Sequence, residues 1–259
     1  MRKNKIIVLC AVALSGLLFS CQKVIDLKLN NASSQIVIQG NVYDQPGPDT
    51  VRISKSVNFD STNVFPPVSG ANVVISDNAG NSETLAEIYP GTYITSSLQG
   101  VAGRTYTLSV RTANQTYTAS STMPSAVTID SLFVQNSWFA KDKQISVEYT
   151  DPANITNYYR LIEFINQKQQ PDFHTTDDML TNGEKVTYDI MESDTTLVPG
   201  YKLTIWLESI DKNNYTFFHA ASLNERQSAS PANPPSNISN GALGYFSACS
   251  VRKKSIIVP

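Results

Sequence analysis

The sequence predicts an all-β protein: two antiparallel β-sandwich domains in tandem, the second carrying a short helical insertion and one longer helix. Three observations carry this expectation. Apolar residues recur at period two through most of the chain beyond residue 35, as half-buried strands require. Those stretches are rich in Val, Ile, Thr and Tyr, which suit a pleated surface. Clusters of Gly, Asn, Asp and Pro interrupt the alternation, where the chain needs positive φ or pre-set bends. Only 16% of the 259 residues are charged, well below the roughly 25% of an average soluble protein. That balance excludes a charge-driven disordered chain and gives no sign of a coiled coil.

Residues 1–20 read as an export signal. Arg2, Lys3 and Lys5 precede an almost wholly apolar run, Ile6 to Phe19, and small Ser20 stands before Cys21. This is the order of a secretory leader, and the run is short for a membrane span of about 20 residues. Leu18-Phe19-Ser20-Cys21 resembles the bacterial lipobox, in which the cysteine is acylated and becomes the new N-terminus. Cys21 is therefore the expected lipid attachment site. An ordinary secreted protein with an incidental Cys21 and an uncleaved anchor are the competing readings. Several acyl chains hold a protein on a membrane almost permanently, because each buried methylene contributes about 0.8 kcal/mol. No later stretch is apolar for long enough to span a bilayer, so nothing beyond the leader is expected to cross the membrane and the acyl chains are the anchor.

Residues 21–33 read as a lipidated tether and 34–122 as the first sandwich. Ile36 and Ile38 open the alternation, followed by Val51, Ile53, Lys55, Val57 and Phe59, then Val73 and Ile75. Tyr106, Leu108 and Val110, then Tyr117 and Ala119, complete it. Turn chemistry separates them at Asp44 to Pro48, Ser76 to Asn81, Tyr89-Pro90-Gly91 and Gly100 to Gly103. The stretch Ser69 to Gly80 followed by Gly91-Thr92-Tyr93 resembles prealbumin-like and carboxypeptidase-regulatory-like modules, in which the pattern is structural.

A break at Thr122-Met123-Pro124-Ser125 divides the blocks, since Pro124 disfavours strand pairing. The second block, 126–259, reads as a fibronectin- or immunoglobulin-like sheet. Ile129, Leu132 and Val134 begin it; Ile145, Val147 and Tyr149 precede the turn Asp151-Pro152. Arg160, Ile162 and Phe164 alternate with Leu161, Glu163 and Ile165, and Tyr201, Leu203, Ile205 and Leu207 form the clearest strand. Thr175 to Asn182, closed by Gly183, has a cap candidate and early acids, and reads as a short helix or turn. Residues 211–227 read as a helix capped by Asp211 or Asn213. It lays Tyr215 and Phe218 on the sheet, with Leu223 as a third candidate. Ala242 to Val258 returns to strand character.

Catalytic and metal chemistry find little foothold. A zinc site needs three or four ligands at fixed spacing, but only His174 and His219 are present and neither HExxH nor CxxC occurs. His174, Asp177 and Asp178 are set against a capped, solvated surface turn, and the turn is preferred. Asp77, Asn78 and Asn81 read as a hairpin turn rather than a calcium loop. GxSxG, GxxxxGK[ST] and GxGxxG are absent, so the elbow, phosphate-loop and dinucleotide readings fail. Cys249 is the one thiol left after Cys10 goes with the leader and Cys21 with lipid, and it reads as a buried small residue. The sequence is therefore expected to have no catalytic residue, metal or cofactor. Net charge is −2 with three bases in the leader, so the mature body is acidic and carries no footprint for nucleic acid. Trp138, Phe139, Tyr245 and Phe246 stand at loop ends. Aromatics there are the candidate ligand or partner contacts, weighed against alternate members facing the core.

The order of motifs is also distinctive. Cys21 to Leu27, Ile36 to Gly40, Ser69 to Ile75, Gly91-Thr92-Tyr93, Gly103 to Tyr106 and Ser236-Asn237-Ile238 with Gly241 and Gly244-Tyr245-Phe246 follow one another. In this the chain resembles the Bacteroidota outer-membrane lipoproteins grouped as domain of unknown function 4249. The resemblance implies an outer-membrane lipoprotein encoded beside TonB-dependent receptors, and hence an accessory or ligand-capturing role with an outer-membrane β-barrel partner. It brings no catalytic residues. Gln22-Lys23 resembles a surface-export signal, but Val24 and Ile25 replace its acids, so the cell-surface and periplasmic faces both stay open. The alternative is an adhesin-like or structural surface lipoprotein. An exported hydrolase comes last, since it requires a deep pocket with convergent acids or a Ser/Cys–His pair.

Overall fold

The computed structural model describes residues 33–58, 62, 64–136, 143–190, 197–225 and 233–259. The leader, Cys21, the tether up to residue 32, Trp138 and Phe139 lie outside them. Strands come first: β1 (Ile36–Tyr43), β2 (Thr50–Lys55), β3 (Asn72–Asp77), β4 (Ser82–Thr84), β5 (Ala86–Tyr89), β6 (Thr92–Ile94), β7 (Thr105–Arg111) and β8 (Thr116–Thr122). Next come β9 (Ile129–Asn136), β10 (Lys143–Thr150), β11 (Tyr158–Ile165), β12 (Lys168–Gln169), β13 (His174–Asp177), β14 (Lys185–Ile190) and β15 (Lys202–Ile210). Helix α1 (Lys212–Glu225) and the 15-residue β16 (Leu243–Ile257) close the chain. The fold is all-β, built as antiparallel sandwiches, with one helix among the described residues.

A nine-stranded sheet in the order β12-β11-β15-β16-β1-β2-β6-β5, with β13 also on β11, spans residues 34–259, which form one compact unit. The four-stranded sheet β4-β3-β7-β8 supplies the opposing layer of a first core. The three-stranded sheet β14-β10-β9 does the same for a second. Alternation explains both layers. In β7, Tyr106, Leu108 and Val110 are buried, each worth about 1.5–3 kcal/mol relative to exposure. Their outward neighbours pair across to β8 through hydroxyls: Thr105 with Thr122 at 2.8 Å and Thr107 with Ser120 at 3.2 Å. Cross-strand hydroxyl pairs serve on this face where many proteins use charges.

The first core takes residues up to Met123 together with Ile238, Ala242, Phe246 and Ala248, the second takes residues from Val127 onward, and β16 belongs to both. Its first half pairs in parallel with β1, Val37 opposite Leu243 through Tyr43 opposite Cys249. Its second half pairs antiparallel with β15, Ser209 opposite Ser250 through Lys202 opposite Ile257. Phe246 and Ala248 enter the first core, while Ile256 and the following Val258 pack in the second. Tyr245 and Cys249 face the other way, toward α1. Each half of β16 thus leaves one edge without a strand, and side chains fill both. On the first edge Asn237 both accepts from the Phe246 N–H (2.9 Å) and donates to its carbonyl (2.8 Å), and Ser121 accepts from the Ala248 N–H (2.8 Å). On the second, Asp44 accepts from the Val251 N–H (2.9 Å) and from Arg252 (2.7 Å), while Gln45 donates to the Val251 carbonyl (3.3 Å). Strand β1 stops there because Pro46 and Pro48 cannot continue a ladder.

Two helical expectations resolve differently. Helix α1 forms, with Asp211 as its cap through the Asn214 N–H at 2.9 Å. Phe218 is fully buried and Tyr215 half-buried, but Leu223 is 49% exposed and stays off the sheet. The short helical insertion at 175–182 is corrected. Strand β13 occupies its first part, His174 opposite Leu161 through Asp177 opposite Tyr158, and a turn follows. The open edge of β11 and two β-branched threonines outweigh the local cap signals.

Candidate functional site

Two clefts open on the described body. One, of about 400 Å³, is lined by Asp77, Asn81, Glu83, Ser97, Gln99 and Arg104 among others. Asp77 accepts from the Asn81 amide (2.8 Å), the Asn81 and Ala79 N–H groups (2.8 and 3.0 Å) and Arg104 (2.8 Å). The Asn81 amide foremost, with these other donors, holds its carboxyl down at about 2. This is the hairpin turn expected from the sequence. Burial raises Glu83, but the Ser96 N–H and hydroxyl and the N–H groups of Leu98 and Ser97 outweigh it and lower the pKa. Carboxylates so saturated are poor proton carriers near neutral pH. The second cleft, about 420 Å³, is lined by Ser120, Asn213, Thr216, Pro235, Ser236 and Asn237. None of these side chains titrates, and Asn237 is engaged in capping β16.

Beneath α1 lies a buried charged cluster that the sequence reading missed. Arg160 Nη1 lies 3.4 Å from Glu208 Oε2, and the guanidinium stands 3.9 Å over the Phe218 ring. Phe173, Phe217 and Tyr245 close round it. Burial raises the Glu208 carboxyl, with Arg160 and Tyr43 pulling the other way. Cys249 is fully buried in the same cluster, and burial, then Glu208, push its thiol well above the usual range. A thiol so placed stays protonated and is no nucleophile. A signal for the ion pair was present: Arg160 and Glu208 stand inside strands that are largely apolar.

The aromatic candidates divide. Phe246 is 0% exposed in the first core, which removes it as a ligand contact, since its alternate parity points it inward. Tyr245 is half-buried against Phe217 and Phe218, with ring centroids 5.2 and 4.7 Å apart. Trp138, Phe139 and Cys21 fall outside the described residues. His174 and Asp178 are buried, which corrects the solvated-turn reading: β13 pairing draws His174 inward, and Asn182 bonds Asp178 at 2.8 Å. Among the described residues no three His, Cys, Asp or Glu are grouped to hold a metal.

A different surface stands out at the end where the chain enters β1. Ser34 and Gln35 are clamped there to Ser56: the Ser34 hydroxyl donates to the Ser56 carbonyl (2.7 Å) and the Ser56 N–H to the Gln35 carbonyl (2.8 Å). The Lys55 N–H bonds the Pro66 carbonyl (2.9 Å) and the Ile53 N–H bonds the Gly91 carbonyl (2.8 Å), so the segment around Pro66 and the β5–β6 turn lie side by side along β2. Gly91 has φ +71°, and a Cβ there would stand 2.9 Å from Pro67 Cβ and run into the Ile53 carbonyl. Val64 (71%), Phe65 (54%), Ile88 (46%) and Tyr89 (70%) are exposed around this junction. Sequence reasoning missed them because isolated apolar residues in a Pro-rich loop and a short edge strand carry no periodicity.

Two comparisons bear on identity. A family model described as a domain of unknown function, number 4249, matches residues 22–255. No curated protein matches the sequence.

Proposed function

Since the chain belongs to the domain of unknown function 4249 family, we propose that it is a lipid-anchored protein of the bacterial envelope. In this reading it is an accessory or ligand-capturing subunit of an outer-membrane TonB-dependent transporter. The observation that carries the anchor is Leu18-Phe19-Ser20-Cys21 directly after a basic start and an apolar run. The transporter partnership follows from the family resemblance. The described body supports a role in binding over one in turnover. The carboxylates of its first cleft are taken up by internal hydrogen bonds, and its thiol is buried. Trp138 and Phe139 keep the candidacy as contacts that the sequence assigns them.

Two measurements test this. Cys21→Ala abolishes labelling by a fatty-acid probe and releases the protein from membranes; labelling that persists in the variant refutes the anchor. Mild detergent extraction of the native membrane co-purifies a β-barrel receptor. A clean monomer under gentle crosslinking transfers the reading to an adhesin-like or structural surface protein.

A further inference from the structure

We propose that the end of the body carrying Val64, Phe65, Ile88 and Tyr89 is a membrane-contact face that rests on the lipid surface to which the protein is tethered. The inference depends on the acylation of Cys21 argued above and adds an orientation to it.

The occupant follows from where the tether ends. Twelve residues, 22–33, separate Cys21 from Ser34, and at about 3.3–3.6 Å each they reach no further than roughly 40 Å. They deliver the chain to Ser34 and Gln35, which Ser56 holds immediately after Lys55 of β2. Phe65 and Tyr89 each stand two residues from the close approach of Pro67 to Gly91 on that same strand. The end of the fold nearest the bilayer is therefore the end with exposed aromatic and aliphatic side chains. Tyr89, Ile88 and Phe65 suit the headgroup boundary, where an apolar body and a polar tip are both accommodated.

The charge arrangement agrees. Lys55 is exposed on the strand that bonds Pro66. Arg111 is exposed opposite Asn72, two residues beyond Gly70. Neither is in an ion pair among the described residues. Among the described residues the nearby acid, Glu87, is occupied by the N–H groups of Gly70 (2.9 Å) and Gly91 (2.8 Å). Free cations beside apolar tips, with the local carboxylate tied to backbone, favour an anionic lipid surface. A bulge between Glu87 and Tyr89 bends the edge strand β5, which discourages pairing with another chain's strand.

The test uses the full acylated mature protein in vesicles of phosphatidylethanolamine and phosphatidylglycerol. A polarity-sensitive dye is attached at Tyr89→Cys or, at the far end of β15 and β16, at Tyr201→Cys; Cys249 is buried and unreactive. Both positions are exposed, and circular dichroism verifies folding of each. The expected result is a blue shift at position 89 on membrane attachment, none at 201, and loss of the shift when Phe65→Asp and Ile88→Asp are added. Fatty-acid labelling is scored first. An unlabelled protein refutes the anchor and this proposal together. Labelled, vesicle-bound protein with a water-exposed probe at 89 refutes the proposal alone. So does a shift seen equally at 201, or one that requires the receptor, which would assign the face to a protein partner.

Discussion

Asp49 stands just before β2 with its side chain buried; one carboxyl oxygen accepts from the Tyr43 N–H at 3.1 Å and the other has no partner. Burial, only partly offset by that N–H, raises its pKa to about 8. The folded chain therefore holds this proton up to about pH 8, whereas the unfolded chain releases it near 4. Between those limits the native state binds more protons, so this group's contribution to stability is full below pH 4 and is lost as pH rises toward 8. The slope is about 1.4 kcal/mol per pH unit for one proton. Denaturant unfolding of the wild type and Asp49→Asn across pH 4 to 8 checks this. The difference between them should narrow in favour of the variant as pH rises, and parallel profiles would contradict it. Nothing in the sequence marks this aspartate, because Pro48-Asp49-Thr50 looks like any turn. Its cost comes from burial, with Glu83 adding to it, while its own N–H is taken up by the Thr95 hydroxyl at 2.8 Å.

Strands were legible where one face is buried and the other wet. Val51 and Ile53, Val73 and Ile75, and Tyr106 to Val110 all read correctly, because period two is a property of the local chain. The strands missed, such as β4, β5 and β12, are two to four residues long and too short to show a period. The parallel pairing of β1 with β16 joins residues about two hundred positions apart and leaves no local trace. The side chains that finish β16 share this opacity: Asn237 and Asp44 look like loop polar residues, yet each replaces a missing strand. Removing one orphans a buried N–H, a loss of about 1–3 kcal/mol. Asn237→Ala, which strips the Phe246 N–H of its acceptor, and Asp44→Ala, which does the same to Val251, should each destabilise by that amount. An Asn237→Asp variant keeps the acceptor and should recover part of the loss, as equilibrium denaturation will show. Full stability in the alanine variants would mean that water reaches these edges.

The likeness of two β-blocks is visible in the sequence, but their connection is not, because it runs through one 15-residue strand at the end of the chain. Phe246 and Ala248 lie in the first core, Ile256 packs on the second, and the nine-stranded sheet is continuous across both. Loosening either core strains β16, and with it the ladder that the other core needs. Residues 34–259 should therefore unfold in one cooperative transition, although their two apolar clusters are separate. Trp206 stands on β15 of the second block against Phe164, while the Tyr43 ring of β1 meets it edge-on at 6.3 Å, so with Trp138 replaced by Phe its fluorescence reads the second block and its seam with the first. Leu108→Ala, confined to the first core, removes about 2–5 kcal/mol. In a coupled molecule that substitution moves the tryptophan-detected midpoint by the full amount, without changing the denaturant slope. If the tryptophan transition stayed where it was while circular dichroism split into two steps, the blocks would be independent folding units and β16 a passive link between them.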